Sequence, residues 1–491
     1  MSNKKIIPIK KFPVLIDDDE ITGVPIDSDA FNDRFYQSRQ QAINNEFYRT
    51  TIDKWKPTSV NELKSLMIKF CFNKYLLDQA WIIFYWISQN IDYDIVSYFS
   101  DRLPNQDIES VFKTRKGVCS GFATMFKTLA DCIQLSCHEI SGNTKGFGYS
   151  VNNQVKKFDH SDHAWNTIEI NHHLYLIDST WGSGHIDNKR QYKKELNLFY
   201  FCIRPEQIIY SHLPENSKDQ LLLKPLTMKQ FLILPKVYSY FFDFNLKIIS
   251  PKNTCQAEMK SNEFCSEILI KAPDNIHLSC KIKKIIHMEQ KIINGDFIQY
   301  DNKNKLWQCL FAPNGVGNYE LTVYAKQSID TGYYHGAVEF NLNVDVQQQN
   351  FTFPTQYALF MQKMCQLFEP LNGIIKRASK ITIHCFIPSA QSVMVIVNEE
   401  FLDEEGYDKV TGIFKRQINT PKRGGTVGIY AKFDSKNREK WISGYWRSLS
   451  TDYPGRDLKT ELRSTVVYQY YVGASALKYQ LQASYSPLAV Y

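Results

Sequence analysis

Three residues of this 491-residue chain have the types and the setting that thiol chemistry needs: Cys119, His163 and Asp178. Cys119 stands in Arg115-Lys116-Gly117-Val118-Cys119-Ser120-Gly121-Phe122, where a glycine-containing loop gives way to a helical pattern. A thiol at that point meets the positive end of a helix and its free backbone N–H groups, which stabilise the thiolate and make it nucleophilic. Gly117 and Gly121 are expected to leave room beside it for a substrate backbone. Most cysteines are small buried hydrophobes, so the thiol alone decides little.

The other two residues sharpen the case. His163 lies in Asp162-His163-Ala164-Trp165-Asn166, and Asp178 in Leu176-Ile177-Asp178-Ser179-Thr180-Trp181. Between them Trp165, Thr167 and Glu169, then Leu174, Leu176 and Asp178, alternate about Asn171-His172-His173. That pattern predicts a β-hairpin whose open end makes His163 and Asp178 cross-strand neighbours. A carboxylate beside an imidazole fixes its tautomer and stabilises the imidazolium, leaving the other ring nitrogen for the thiol.

The elements that must position these groups are also legible. Residues 78–91 read as a helix, with Ala80, Phe84, Ile87 and Ile91 on one stripe and Trp81, Ile82, Ile83, Tyr85 and Trp86 covering the rest. A helix apolar all round is a buried one. Ser59 and Glu62 have capping-box spacing ahead of it. Phe122, Phe126, Leu129, Ala130 and Ile133 continue a helix from Cys119. Helices followed by strands predict an α+β domain.

Farther on, Ile276-His277-Leu278-Ser279-Cys280 is echoed by Ile381-Thr382-Ile383-His384-Cys385, and Tyr324-Ala325-Lys326 by Tyr430-Ala431-Lys432. A Pro/Gly turn precedes each Tyr-Ala-Lys, Pro313/Gly315 and Pro421/Gly424. Two landmarks at nearly one offset predict a duplicated unit of roughly 100 residues, the size of an immunoglobulin-like sandwich. Neither copy gathers catalytic residue types, so binding or positioning is the expected task.

Composition bounds the rest. Apolar residues make up 43% and charged residues 22%, the balance of a globular chain with several cores. A net charge of +7 is scattered in pairs such as Lys10–Lys11 and Lys283–Lys284, which gives no reason to expect a nucleic-acid partner. Eleven cysteines without a Cys-x-x-Cys pair argue against a zinc ribbon or a disulfide framework, and point to a reducing, cytoplasmic setting. The apolar run Ala80–Ile87 is too short to span a membrane. Residues 1–30, with the acidic run Asp17-Asp18-Asp19-Glu20, are expected to be a mobile tail.

Four motifs together resemble a known family. They are Trp86-Ile87-x-x-Asn90-Ile91-x-Tyr93-Asp94, Val118-Cys119-x-Gly121-Phe122, His163-Ala164-Trp165-Asn166 and Leu176-Ile177-Asp178-Ser179-Thr180-Trp181-Gly182. In this order they resemble the transglutaminase-like core, and more narrowly the kyphoscoliosis peptidase and hillarin group. Arg204-Pro205, His212-Leu213-Pro214, Gln220-Leu221-Leu222 and Phe231 are similar to that group's end of the domain. The resemblance implies an α+β papain/transglutaminase-like catalytic domain followed by two all-β immunoglobulin-like sandwiches. The expected limits are 1–50 for the tail and leading helix, 51–235 for the catalytic domain, 236–346 and 352–491 for the sandwiches.

The resemblance further implies Cys119 as nucleophile, His163 as general base and acid, Asp178 as orienter, and Trp86 as candidate oxyanion donor through its indole N–H. Trp165 and Trp181 are expected to pack in the core or wall the cleft. A protein substrate and cytoskeletal or cell-junction partners are implied, with no cofactor and no metal. Gly-Val-Cys-Ser stands where calcium-dependent animal transglutaminases have Gly-Gln-Cys-Trp, which favours hydrolysis over crosslinking. A cysteine peptidase is therefore the leading expectation, and a catalytically silent scaffold the alternative. A metal site from Asp159, His160, Asp162 and His163, with His172 and His173 nearby, is a weaker rival that leaves Cys119 idle.

Overall fold

The computed structural model describes residues 23–448, apart from 101–102, 151–159, 188, 260–263, 287–288, 331, 347–350, 399 and 434–443. The acidic run of the expected tail, and Asp159, lie outside the described residues.

The first half is built on helices α1 (Asp33–Asn44), α2 (Glu46–Ile52), α3 (Val60–Cys71), α4 (Leu76–Asn90), α5 (Ile108–Thr114) and α6 (Cys119–Cys132). The all-apolar pattern of α4 has the expected outcome: Trp81, Ile82, Ile83, Phe84, Trp86 and Ile87 are wholly buried. Ser59 caps α3 by accepting the Glu62 N–H, but the Glu62 carboxylate returns to Thr58 and not to Ser59, one residue off the expected box.

Against α6 lies an antiparallel sheet of β1 (Cys137–Thr144), β2 (His163–Ile170), β3 (His173–Ile177) and β4 (His212–Pro214), in the order β3-β2-β1-β4. Asn171 and His172, both at positive φ, form the two-residue turn that joins β2 to β3, the geometry that suits the twist of a tight hairpin. Helix and sheet are tied by Asn166, fully buried on β2, whose amide donates to the Ala123 carbonyl at 3.1 Å.

Two β-sandwiches follow. In the first, β5 to β13 are Lys247–Ser250, Gln256–Ala257, Ser266–Lys271, Ile276–Ile286, Glu289–Ile293, Asp296–Asp301, Leu306–Phe311, Gly317–Gln327 and His335–Val344. In the second, β14 to β22 are Gln366–Glu369, Ile374–Ile375, Lys380–Phe386, Ser392–Val397, Glu400–Phe401, Tyr407–Asp408, Ile413–Asn419, Gly425–Lys432 and Gly444–Ser448. The sheets run β5-β7-β11-β10 and β6-β13-β12-β8-β9 in the first, and β14-β16-β20-β19 and β15-β22-β21-β17-β18 in the second. Each strand of the second copy repeats the place of the strand nine before it. The duplication covers all nine strands, and only the Lys236–Val237 strand added to the first sandwich lacks a counterpart among the described residues of the second.

One landmark of the expected repeat is nonetheless misaligned. Tyr324-Ala325-Lys326 on β12 and Tyr430-Ala431-Lys432 on β21 occupy equivalent strands. Ile276–Cys280 lies on β8, whose counterpart is β17, whereas Ile381–Cys385 lies on β16, the counterpart of β7. Both segments turn alternate apolar residues inward, Leu278 and Cys280 in one, Ile383 and Cys385 in the other. A two-residue period marks a half-buried strand without saying which strand of the sandwich it is.

The sheet of β1 to β4 is fastened to the segment that leads into the first sandwich. Lys145, just past β1 and 2% exposed, donates to the carbonyls of Phe231 and Leu234, each at 2.7 Å. Lys236 and Val237 then pair with Glu339 and Val338 of β13.

Candidate active site

Cys119 is the first residue of α6, with extended Val118 before it, so its sulfur sits at the helix N-terminus as expected. The approach to it is set by backbone. Lys116 and Gly117 pair in parallel with Asp92 and Tyr93, and the Gln106 side-chain carbonyl accepts the Val118 N–H at 2.8 Å. The role expected for the flanking glycines is corrected here. A Cβ on Gly121 would fall 2.5 Å from Gln106 Oε1 and 2.9 Å from Val111, and one on Gly117 would meet the same two side chains. Their missing side chains make room for the protein's own packing, not for a substrate.

In the hairpin Asn166 faces Ile177, which puts Asp178 across from Trp165. His163 is thus a diagonal neighbour of Asp178 on the same face, two residues from direct opposition, and near enough. His163 Nε2 lies 2.7 Å from Asp178 Oδ2. With that nitrogen engaged, Nδ1 is the one left to interact with Cys119, whose thiol and the imidazole stabilise each other's charged forms. The Cys119 sulfur also lies 3.9 Å from the Asp162 carbonyl oxygen. Sulfur, imidazole and carboxylate are contiguous.

The carboxylate is held on all sides. Asp178 is fully buried, and its Oδ1 accepts the N–H groups of Thr180 at 2.8 Å and Trp181 at 2.9 Å. A residue to which the sequence reading gave no role completes the set: His212 of β4, 1% exposed, whose Nε2 is 3.0 Å from Asp178 Oδ2. Its other nitrogen, Nδ1, is 2.7 Å from the Ser211 hydroxyl. The run His212-Leu213-Pro214 was the available signal, but a three-residue strand has no periodicity from which to assign a role.

These strands can converge because Gly142 of β1 faces His163 on one side and Pro214 on the other. A Cβ there would lie 2.3 Å from the Leu213 carbonyl oxygen and 2.6 Å from the Trp165 ring. Trp165, 1% exposed, stacks on His163 and meets His212 edge-on, as core packing. Trp181 is partly exposed, with its ring 5.6 Å from that of His163 and 4.5 Å from that of His212. Trp86 is wholly buried, stacked on Phe112 with the Arg115 guanidinium over its ring, and its indole N–H has no hydrogen-bond partner among the described residues.

Electrostatics follows from these contacts. Burial would lower His163, but the charge and hydrogen bond of Asp178, with the contact to Cys119, push it up to about 10. Burial would raise the Cys119 thiol, yet the His163 hydrogen bond and charge and the Ala164 N–H bring it below its ordinary value. Burial would likewise raise Asp178, and the two histidines hold it well below the carboxylate range. Burial dominates at His212 and pushes it down to about 4. The pattern is a thiol eased toward ionisation, a cationic imidazole, a carboxylate and a neutral imidazole, in that order.

The metal set weighed from the sequence is dispersed among the described residues. Asp162 accepts the Thr144 N–H, His173 pairs with Asp27, and the His172 side chain is 99% exposed. His163, Asp178 and His212 do form a compact group of ligand types. Their contacts of 2.7 and 3.0 Å are hydrogen-bonded spacings; ligands arranged tetrahedrally about 2.0 Å from zinc stand farther apart, at about 3.3 Å.

Comparison with known proteins agrees with this architecture. Residues 68–181 match the transglutaminase-like superfamily, and residues 228–355 match the KY-like immunoglobulin-like domain. The chain carries a transglutaminase-like domain and a KY-like immunoglobulin-like domain. It is 32% identical over 281 residues to kyphoscoliosis peptidase of Homo sapiens, covering 57% of this chain and 40% of that protein. It is 28% identical over 184 residues to Hillarin of Drosophila melanogaster, covering 35% of this chain and 22% of that one. With cytokinesis protein 3 of Schizosaccharomyces pombe the identity is 26% over 175 residues, covering 35% and 19%. The chain thus spans two fifths or less of the length of these relatives, which are the group that its motifs resemble.

Proposed function

We propose that this chain is a thiol acyl-transfer enzyme, specifically a cysteine peptidase acting on protein amides, with Cys119, His163 and Asp178 as its triad. The observation that carries this reading is the imidazole of His163, which bridges a helix-terminal sulfur and a buried carboxylate. The Cys119 thiolate attacks an amide carbonyl and forms a tetrahedral adduct. His163 passes its Nδ1 proton to the departing amine as the C–N bond breaks, leaving an acyl-thioester. Neutral His163 then takes a proton from water as the water oxygen attacks the thioester, and the thiolate leaves with the carboxylic acid formed. The backbone N–H groups that open α6 are the donors best placed for the oxyanion. Trp86 is the further proposed oxyanion donor, through an indole N–H that is buried without a partner among the described residues.

A protein substrate is supported by the name of the peptidase relative, and a cytoplasmic, cytoskeletal setting by the cytokinesis proteins among the relatives. No helix among the described residues is long and apolar enough to cross a membrane. The tandem sandwiches are the proposed contact to cytoskeletal or junction proteins.

A chloroacetamide probe tests the first half-reaction. Cys119 is expected to label far faster than the other ten cysteines, and His163→Ala to abolish that preference. Equal labelling of both proteins would leave the catalytically silent scaffold as the better reading. New N-termini released from an unfolded protein substrate, and lost in Cys119→Ala, identify water as the acceptor. Incorporation of an added primary amine in their place would identify crosslinking.

A further inference from the structure

We infer that His212 is a positioning residue for the thiol–imidazole pair: its Nε2–H clamps Asp178 Oδ2 so that this oxygen stays an ionised acceptor aimed at His163. The inference rests on the acyl-transfer reading of Cys119 and His163. Its basis is a chain of contacts from β4 to the sulfur. The Ser211 hydroxyl lies 2.7 Å from His212 Nδ1, His212 Nε2 lies 3.0 Å from Asp178 Oδ2, and the same oxygen lies 2.7 Å from His163 Nε2. Asp178 as a carboxylate only accepts, so both histidines must donate to it. A neutral His212 that donates from Nε2 has a bare Nδ1, and the group 2.7 Å from Nδ1 is the Ser211 hydroxyl. Asp178 thus sets the tautomer of both histidines, and the Ser211 hydroxyl, which also lies 3.2 Å from the Ile208 carbonyl oxygen, turns its proton to His212 Nδ1.

The surroundings hold His212 in this role. Its ring is enclosed by the rings of His163, Trp165, Trp181 and Tyr200, and the titratable groups facing it are Asp178, His163 and Tyr200. Its strand is pinned to the catalytic sheet by the pairing of His212 with Thr144, and Ser211 accepts the Lys145 N–H at 2.9 Å. Burial keeps His212 uncharged, so it offers a hydrogen bond without adding a second positive charge to compete with the imidazolium. Two backbone donors on Oδ1 and two ring donors on Oδ2 together fix the carboxylate against rotation. With His163 alone, Oδ2 would be held from one direction only.

The test is the rate of iodoacetamide labelling of Cys119, read by peptide mass spectrometry on the full chain from pH 5 to 9. Gln places an amide N–H where His212 Nε2 stands, whereas Phe fills the space and offers no donor. His212→Phe is expected to label about tenfold more slowly at pH 6, the loss expected for one charge-assisted hydrogen bond, and to recover toward wild type at pH 9. His212→Gln should stay within about threefold of wild type throughout. Should His212→Phe fail to fold, Ser211→Ala decides in its place, with an expected loss of about threefold at pH 6 and none at pH 9. A wild-type profile in the deciding variant, a loss equal at every pH, or no rescue by Gln would each overturn the inference. His163→Ala is run alongside. If it matches wild type the acyl-transfer reading itself fails; if it collapses while the His212 variants do not, only the role of His212 is lost.

Discussion

Replacing Asp178 by Asn keeps the outline of the side chain and removes its charge, and the surrounding donors dictate how the amide must sit. Two backbone N–H groups, Thr180 at 2.8 Å and Trp181 at 2.9 Å, face Oδ1, so the amide oxygen is forced there. The NH2 group then takes the place of Oδ2, against His163 Nε2 and His212 Nε2. Both imidazoles must present a bare Nε2 to it. His163 is left neutral with its proton on Nδ1, directed at the sulfur, where it can no longer accept from the thiol. Against the burial that would lower it, the carboxylate and the contact with Cys119 together raise His163 to about 10 from an ordinary 6.5, a factor of roughly three thousand in proton affinity of which the carboxylate supplies the larger share. Part of this returns, because the more basic thiolate that still forms is intrinsically more nucleophilic. Asp178→Asn should therefore slow iodoacetamide labelling of Cys119 at pH 6 by roughly a hundredfold to a thousandfold, with unchanged circular dichroism. A rate within tenfold of wild type would refute the tautomer argument and the assignment of Asp178 as orienter.

Two further predictions concern the frame around the site. Gly142→Ala drives a Cβ into the Leu213 carbonyl and the Trp165 ring and should cost about 3 kcal/mol or more; urea denaturation that shows less than 1 kcal/mol would contradict it. Lys145 is pushed by burial down to about 7 from 10.5, so the unfolded chain binds its proton through a window in which the folded chain does not. Its contribution to stability is present above pH 10.5 and is lost as pH falls toward 7, at most roughly 5 kcal/mol in all. Denaturation at pH 7 and pH 9.5 should show wild type gaining more stability with rising pH than Lys145→Met; equal gains would mean that the ammonium is not desolvated.

How far the sequence revealed this arrangement depended on whether a pattern was local. Cys119 at a helix start, and a hairpin that joins His163 to Asp178, are written in a few consecutive residues each, and the folded chain brings all three together. The apolar circumference of α4 is equally local. What escaped were relations between distant segments. His212 reaches Asp178 from a three-residue strand 34 positions on, and nothing around it distinguishes a buried donor from any other histidine. The space beside Gly117 and Gly121 was assigned to a substrate because Gln106 and Val111 cannot be placed there from sequence. The echo of Ile276–Cys280 in Ile381–Cys385 misled for a related reason: neighbouring strands of a sandwich have the same inward and outward rhythm, and only their pairing partners tell them apart.

A carboxylate has about four lone-pair sites, and those of Asp178 face two ring nitrogens and two peptide groups. It has no vacancy for a proton in transit and cannot serve as a relay. In the proposed reaction, all proton traffic passes through the buried ring of His163, one particle at a time. Such a centre works in strict alternation: the first product has to leave with the proton before the next reactant can surrender one.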